Sequence, residues 1–401
     1  MPMTSPSIRE RPRRLALTAA WLFDGTADRL RADPMVLIDG SKVVAVDFGV
    51  DPPGDADVHD LDGATLLPGL VDPHVHLAFD ATPTVVANLA GRDDGEVLEA
   101  MTTAARTAAL GGVTTVRDLG DRDYLSLALR GQPGLPTIQC AGPPMTFADG
   151  HCHYLGGTVG QGEAAVRAGV QERAERGVDV IKIMASGGAL TPTTRQEEPQ
   201  FTADELRAIV DEAHRHGLPV AAHAHATVAI ANAVAAGVDS LEHATFWTAE
   251  GVESPADLMA EIVERRIVVS ATGGLAPIPD GVAGPPAAVL ARVPLIIANV
   301  RRLIDAGAVV VTGTDAGIGA AKPHDVLRYA PAMMLLLGLT PARILATCTA
   351  VAAETLGLGD SKGRLAPGYD ADVLAVRGDP VADVEVLHDI AAVFVRGDRL
   401  R

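Results

Sequence analysis

Cysteine is scarce in this sequence of 401 residues, which has three: Cys140, Cys152 and Cys348. An odd number of widely spaced cysteines predicts no disulfide framework. Because disulfides persist mainly in oxidising compartments, we expect this protein in a reducing one and predict a cytoplasmic location.

Positively charged residues are also few: the chain has 33 lysine and arginine residues, 51 aspartate and glutamate residues, and a formal net charge of −18. Proteins bind phosphate backbones and anionic membrane surfaces through clustered lysine and arginine. We therefore predict neither a nucleic-acid partner nor a membrane partner.

The chain has no window of about 18 uninterrupted apolar residues, the length that a membrane-spanning helix needs. The stretch RERPRR followed by LALTAAWLF resembles the start of a signal peptide, but it lacks a small-residue cleavage site and runs into the turn signal Asp24-Gly25. We therefore interpret LALTAAWLF as a β-strand.

Apolar residues make up 48% of the chain and charged residues 21%, an ordinary composition for a large soluble enzyme. Short alternating strands with turns fill the first part of the chain, and the same pattern returns only in ADVLAVRGDP and AAVFVRGDRLR near the C-terminus. We predict that residues 13–65 and 364–401 form one small β-sandwich domain built from both chain termini.

Eight apolar stretches alternate with helical ones in the central part. They are ATLLPGLVDPHVH, VTTVRDL, PTIQCAG, VDVIKIM, LPVAAHA, VDSLEHA, RIVVSAT and AVVVTGTDA. The intervening FTADELRAIVDEAHRHG has helical periodicity, with Thr202 and Glu205 as a capping box and Gly217 as a stop. Eightfold alternation of strand and helix is typical of a (β/α)8 TIM barrel, which we predict for residues 66–363 of an α/β fold.

Six side chains that can bind metal lie within or at the ends of five of these stretches: His74, His76, Lys182, His223, His243 and Asp315. The C-terminal ends of barrel strands converge on one mouth, which would bring these residues together. Two histidines spaced two apart on a strand point the same way and suit a divalent metal of the zinc type. The sequence therefore predicts one metal site at the mouth.

Lys182 lies inside the apolar run VIKIM, where a lysine is costly to bury unless it is paired or chemically altered. Burial lowers the pKa of a lysine, and a neutral amine beside two cations can take up carbon dioxide to become a carbamate that bridges them. We predict a carboxylated Lys182, with a snorkelling or salt-bridged lysine as the alternative.

Further residues are candidates for catalysis and substrate binding. Asp315 is predicted both to bind metal and to accept a proton as a catalytic residue. His153 is predicted to be catalytic and to contact substrate, and His225 to contact substrate. Arg195, in one of two long loops predicted to cover the mouth (TPTTRQEEPQ and GGLAPIPDGVAGPPAA), either meets a substrate carboxylate or is a solvated loop arginine. We predict surface or loop positions for three histidines: His151, His214 and His216.

The order HxH, Lys, His, His and Asp on strands one, four, five, six and eight resembles the binuclear-metal type of the amidohydrolase superfamily. The LLPGLVDPHVHL and PGYDADVLAV segments add to this resemblance, which covers essentially the whole chain. Within the superfamily, GHCHYLGG, IKIMASGG, EEPQFTADELRAIVDEAH and HAH resemble the imidazolonepropionase-like group, which includes metal-dependent prolidases and Xaa-Arg dipeptidases.

The resemblance implies two divalent metal ions, expected to be zinc, and assigns their ligands. The more buried ion would be held by His74, His76 and Asp315, and the more exposed one by His223 and His243. Carboxylated Lys182 and a hydroxide would bridge them. True imidazolonepropionases and related deaminases use one metal, with a glutamate soon after the strand-five histidine and no strand-four lysine. This chain has HAHATV and Lys182 instead, which disfavours a deaminase. Some prolidases of the group have tyrosine at the position of His225, so the resemblance does not carry proline specificity.

The sequence thus predicts a binuclear metal-dependent hydrolase of an amide bond, acting as a homo-oligomer on a peptide or an N-acyl amino acid. One alternative is hydrolysis of a cyclic amide, ester, carbamate or urea. Another is a peptide-processing amidohydrolase of a biosynthetic pathway. A third, an inactive structural homologue, is disfavoured because all six metal positions are intact.

Overall fold

The computed structural model describes residues 14–284 and 287–401. The predicted start of the sandwich domain at residue 13 and most of the basic stretch RERPRR lie outside the described residues. So do the two prolines at positions 285 and 286, within the predicted mouth loop GGLAPIPDGVAGPPAA.

Strands and helices alternate through most of the described ranges. The strands are β1 (Arg14–Leu22), β2 (Arg31–Ala32), β3 (Pro34–Asp39), β4 (Lys42–Phe48), β5 (Ala56–Pro68), β6 (Leu70–Val75), β7 (Val113–Asp118), β8 (Thr137–Cys140), β9 (Ile181–Met184), β10 (Val220–Ala226), β11 (Ser240–Trp247), β12 (Val268–Ser270), β13 (Val310–Val311), β14 (Val373–Arg377), β15 (Ile390–Val395) and β16 (Asp398–Arg399). The α-helices are α1 (Val85–Ala90), α2 (Asp94–Leu110), α3 (Glu163–Arg176), α4 (Ala203–Arg215), α5 (Thr227–Ala236), α6 (Ala256–Glu264), α7 (Ala287–Asp305), α8 (Ala330–Leu336), α9 (Pro341–Thr347) and α10 (Ala350–Thr355). No helix in the described ranges combines the length and the apolar character needed to cross a membrane.

The two ends of the chain share one hydrogen-bonded sheet of eight strands, in the order β16-β15-β14-β5-β1-β3-β4 with β2 paired to β1. β5 runs parallel to β1 and antiparallel to β14, so it joins the N-terminal and C-terminal segments. The antiparallel strands β3 and β4 are joined by a turn at Gly40, where a φ of 56° favours glycine. Buried apolar residues such as Leu17, Leu66 and Phe394 pack together at this sheet. That both chain ends meet is confirmed, whereas the sandwich architecture and its boundaries stay predictions.

All eight predicted central strands are present, in two parallel sheets of order β6-β7-β8 and β9-β10-β11-β12-β13. A helix lies between each consecutive pair except β7 and β8, which are joined through a 3-10 helix at Leu125–Leu129. Parallel bridges pair Met145 with Ile183 and Val75 with Ala316, one at each junction between the two sheets. The central part is therefore α/β with parallel strands, whose C-terminal ends carry the predicted site.

Local sequence signals explain the helix boundaries in this region. Thr202 and Glu205 form the predicted reciprocal capping box at the start of α4, and its apolar face packs into the largest core cluster. Gly217 follows α4 with a φ of 70°, and Gly237 ends α5 in the left-handed conformation. A second capping box, at the start of α2, was not predicted. These ends determine where β10 and β11 begin.

Candidate metal centre

Side chains from the first and last parallel strands converge in a first ligand group, which consists of His74, His76 and Asp315. The Nε2 atoms of His74 and His76 are 3.3 Å apart, and Oδ1 of Asp315 lies 3.3 Å and 3.2 Å from them. Two imidazoles and a carboxylate at these distances form a donor set that suits a divalent cation.

A second ligand group consists of His223, His225 and His243, all buried on β10 and β11. Nε2 of His243 lies 3.0 Å from Nδ1 of His223, and the ring of His225 stacks on that of His243 with centroids 4.5 Å apart. The ring centroids of His74 and His243 are 5.2 Å apart, so the two groups adjoin. His225, predicted as a substrate contact, thus lies among candidate ligand atoms.

One member of each group has a left-handed backbone, with φ of 71° at His243 and 63° at Asp315. Residues other than glycine rarely adopt this conformation, which costs on the order of 1–3 kcal/mol and clusters at functional sites. Regular strand periodicity does not extend to such positions, so the sequence pattern gives no sign of them. The left-handed backbone sets the direction in which the side chain of His243 leaves β11 and that of Asp315 leaves the segment after β13.

Lys182 on β9 is 1% exposed, and its Nζ has no hydrogen-bond partner among the described residues. Burial lowers the pKa of Lys182 to about 8, against the opposing influence of Glu242 and Asp315. Its charge acts on Asp315 in the first group and on His223 in the second. An orphaned buried amine is costly, so this position fits a group that gains its partners from bound metal.

Two buried charged residues that sequence analysis missed support the first group. Glu242 on β11 lies 2.8 Å from Nδ1 of His74 through Oε2, and its Oε1 accepts a hydrogen bond of 3.0 Å from Arg117 on β7. Burial alone would raise the pKa of Glu242, but Arg117 and His74 hold it well below its ordinary value. A carboxylate behind a ligating histidine fixes its tautomer and orientation. The signal was available, because VTTVRDL and VDSLEHA each contain a charge in an apolar run, as VIKIM does.

In each of the other imidazoles, the ring nitrogen that faces away from the other candidate ligands contacts a carbonyl or hydroxyl oxygen. These contacts are His76 Nδ1 to Gly120 O (3.4 Å), His223 Nε2 to Gly187 O (3.1 Å), His225 Nδ1 to Thr245 Oγ1 (2.8 Å) and His243 Nδ1 to Thr272 Oγ1 (2.8 Å). A nitrogen that donates to a carbonyl leaves the opposite nitrogen with a free lone pair. The rings of His76 and His223, whose partners are carbonyl oxygens, therefore present acceptor atoms to a cation.

His151 lies in a turn, within the predicted surface or loop positions, but it is buried against the site, which the sequence did not indicate. Its ring centroid is 4.7 Å from that of His223, and its Nδ1 has no partner in the described ranges. Burial, together with the charges of His225 and Lys182, lowers the pKa of His151 to about 3, so the ring is neutral near pH 7. The exposed positions predicted for His214 and His216 are confirmed.

Glycine at position 188 explains how His151 reaches the site. A Cβ atom there would lie 2.2 Å from Nε2 of His151, so only glycine leaves room for the ring. His153, predicted as catalytic and substrate-binding, contacts Gly150 O through Nδ1 at 2.9 Å and packs its ring against Tyr154. Its role stays a prediction.

Arg195 lies in an exposed loop and is paired with acidic neighbours. Its Nη2 is 2.7 Å from Glu197 and its Nε is 3.5 Å from Glu198, with 60% of its side chain exposed. This arrangement matches the alternative of a solvated loop arginine. A role in substrate binding stays a prediction.

Comparisons with known proteins identify similar sequences and similar folds. An imidazolonepropionase of Deinococcus radiodurans is 29% identical over 399 residues, covering 92% of each chain. An ochratoxinase of Aspergillus niger is 32% identical over 237 residues, 59% of this chain and 48% of the relative, so the match spans about half of that enzyme. The solved structure of a Xaa-Pro dipeptidase with bound methionine in the active site superposes with a TM-score of 0.83 at 26% identity, covering 97% of this chain and 100% of the other.

The match to a family model extends over most of the chain. The model of the Amidohydrolase family matches residues 65–400, which contain both ligand groups and Lys182. Together with the imidazolonepropionase relative and the dipeptidase structure, this match shows that the chain belongs to the amidohydrolase family, in its imidazolonepropionase-like group.

Proposed function

We propose that this protein is a hydrolase that uses two divalent metal ions, zinc as the first expectation, to cleave the amide bond of a peptide or an N-acyl amino acid. The observation that carries the proposal is the pair of adjoining ligand groups beside the orphaned amine of Lys182. A mononuclear zinc site needs about four ligands, fewer than the donors brought together here. Hydrolases among the relatives support the reaction class.

The donor chemistry of both groups fits zinc, which prefers imidazole nitrogen and carboxylate oxygen. One ion would be held by His74, His76 and Asp315, and the other by His223 and His243. Bound there, the ions would activate a water near neutral pH and polarise the scissile carbonyl. Lys182 would complete the set: its Nζ forms a bond to the carbon of carbon dioxide and loses a proton, which yields an anionic carbamate.

Asp315 is the residue that would move the proton. Burial alone would raise its pKa, but the imidazoles of His74 and His76 hold the pKa well below its ordinary value, so it is ionised at neutral pH. An ionised carboxylate can accept a proton from the attacking water and return it to the leaving amine. The neutral His151, whose Nδ1 has no hydrogen-bond partner among the described residues, can donate a hydrogen bond to the substrate carbonyl oxygen as charge develops on it.

The proposal includes the architecture that gathers these residues. We propose that the eight parallel strands of residues 66–363 close into a (β/α)8 barrel, for which the bridges at Val75 and Met145 are the support. The terminal sheet would form the sandwich domain of residues 13–65 and 364–401. A homo-oligomeric assembly and a cytoplasmic location also stay predictions.

Metal analysis and a substrate screen test the proposal together. Protein produced with zinc and bicarbonate should contain two zinc ions per chain and release amino acids from dipeptides or N-acyl amino acids. A matched sample of the double variant His74→Ala, His223→Ala should have lost both ions and the activity. A content that stays at one ion per chain contradicts the binuclear assignment. Turnover confined to cyclic amides, esters, carbamates or ureas would replace the substrate class.

A further inference from the structure

Trp247, the last residue of β11, lies beside the second ligand group. Its ring stacks on His225 with centroids 5.3 Å apart and planes at 28°. The side chain is 5% exposed, and its Nε1 is buried without a hydrogen-bond partner among the described residues. Because buried polar groups are nearly always paired, an unpaired indole N–H points to an acceptor that arrives with a ligand.

Arg292 on α7 lies on the same tryptophan. Its guanidinium carbon is 4.5 Å from the centroid of the Trp247 ring, within the range of a cation–π contact. No carboxylate of the described residues lies within ion-pairing distance of Arg292. The acid whose pKa it influences, Glu197, is already paired with Arg195 at 2.7 Å. Arg292 is therefore a half-buried cation whose guanidinium is open to an anionic partner.

We propose that Arg292 and Trp247 form a subsite that binds the free carboxylate of the substrate's leaving amino acid. This inference rests on the proposed function, because it places the scissile amide at the two ligand groups. The Trp247 ring lies 5.3 Å from His225 and the Arg292 guanidinium 4.5 Å from that ring. One extended residue spans about 3.3–3.6 Å, so the carboxylate of an amino acid leaving from the ligand groups would reach the edge of the indole, and the long Arg292 side chain would meet it there. A planar guanidinium pairs well with a carboxylate, and the indole N–H supplies a further donor.

The subsite specifies a substrate class that the metal centre alone does not. The two ligand groups would serve an amide, an ester or a urea equally, since they address only the carbonyl group. Arg292 is a cation that lies on Trp247, which in turn stacks on His225. A cation at this position favours substrates with a negative charge near it and disfavours neutral substrates. Arg195, the arginine that the sequence suggested for this role, is already neutralised by its loop.

Trp247 itself can report binding without turnover. The chain has two tryptophans, and the other, Trp21, is 43% exposed on β1 of the terminal sheet. In the metal-loaded Trp21→Phe protein, the tryptophan fluorescence comes from Trp247 alone. L-Methionine and L-methioninamide serve as probes, because they differ only in the carboxylate and its charge.

We expect L-methionine to change the emission of Trp247 saturably and to bind at least about tenfold more tightly than L-methioninamide, as suits a hydrogen bond to a charged group. Arg292→Gln should remove this preference, and Arg292→Lys should keep part of it. Arg302→Gln is the matched control: it removes the same charge from the same helix, where Arg302 bonds Ser254 instead. This control should keep the full preference.

Equal binding of the two probes, no saturable binding of methionine, or an unchanged preference in Arg292→Gln would each overturn the subsite. A preference that disappears in Arg195→Gln instead would move it to the loop arginine and also overturn it. The failure of the proposed function is distinguishable. If methionine binds through Arg292 but no amide is hydrolysed, the subsite stands and the activity does not. If dipeptides and their C-terminal amides are cleaved equally well, the activity stands and the subsite does not.

Discussion

Both ligand groups contain imidazoles that could bind metal, but the groups differ in charge and in the residues that hydrogen-bond the outer ring nitrogens of these imidazoles. The first group contains the carboxylate of Asp315, and His74 is backed by ionised Glu242. The second group consists of histidines alone, and those of His225 and His243 are backed by the neutral hydroxyls of threonines. The first group is therefore anionic and the second is neutral.

This difference gives Lys182 its importance. An anionic group can hold a cation by itself, whereas burial lowers the pKa of His223 and leaves the second group with uncharged donors. A carbamate on Lys182 would add the negative charge that the second group lacks. We therefore expect the first ion to bind tightly and the second to depend on the modified lysine.

Asp315→Asn should have the largest effect, because the amide has nearly the same shape but neither the charge nor the capacity to accept a proton. We expect turnover to fall by about 10²–10⁴-fold, the usual contribution of a general base. The measurement is kcat at saturating zinc, with circular dichroism as a check on folding. If turnover stays near that of the unmodified protein, the proton acceptor lies elsewhere, and His151 is the next residue to test.

Lys182→Ala should leave the first ion in place and release the second, so that the zinc content falls from two ions per chain to one. Activity should be lost and partly restored by short carboxylates, which can occupy the space of the carbamate. Lys182→Met is the control, since its side chain fills that space and should prevent rescue. Mass spectrometry of the intact protein should detect one added carbon dioxide. Full activity of Lys182→Met would contradict the bridging role.

The sequence was sufficient for the eight parallel strands and for six candidate ligand residues that the structure places close together, because a charge or an HxH pair at the end of an apolar run is costly to bury unless it binds a partner. The same reasoning could have identified Arg117 and Glu242. It favoured His153 as the catalytic candidate in GHCHYLGG and gave no sign of which of the two histidines, His151 or His153, packs against His223. That choice depends on a left-handed turn at Cys152 and on the space at Gly188, in a distant part of the chain. Sequence periodicity likewise does not predict that Arg195 pairs with Glu197 and Glu198 in its loop.

Glu242→Gln should have a smaller effect that is confined to the first group. The amide cannot hold the ring of His74 as a carboxylate does, and we expect the affinity for the first ion to fall by about 10–100-fold. Competition with a chelator measures this affinity directly. Ser240→Ala is the control, because it removes one hydrogen bond to Glu242 and leaves the charge. A loss of the second ion instead of the first would contradict the comparison of the two groups.

The smallest effect is expected from Thr272→Val and Thr245→Val, which separate the roles of two histidines within the second group. Valine has the shape of threonine without its hydroxyl. Thr272→Val therefore removes the hydrogen bond to the ring of His243, and Thr245→Val removes the one to the ring of His225. If only His243 binds metal, Thr272→Val should weaken the second ion by about tenfold, whereas Thr245→Val should leave metal content unchanged and raise KM. Chelator titration and steady-state kinetics distinguish these outcomes. An equal loss of the second ion in both variants would make His225 a metal ligand and would remove it from substrate recognition.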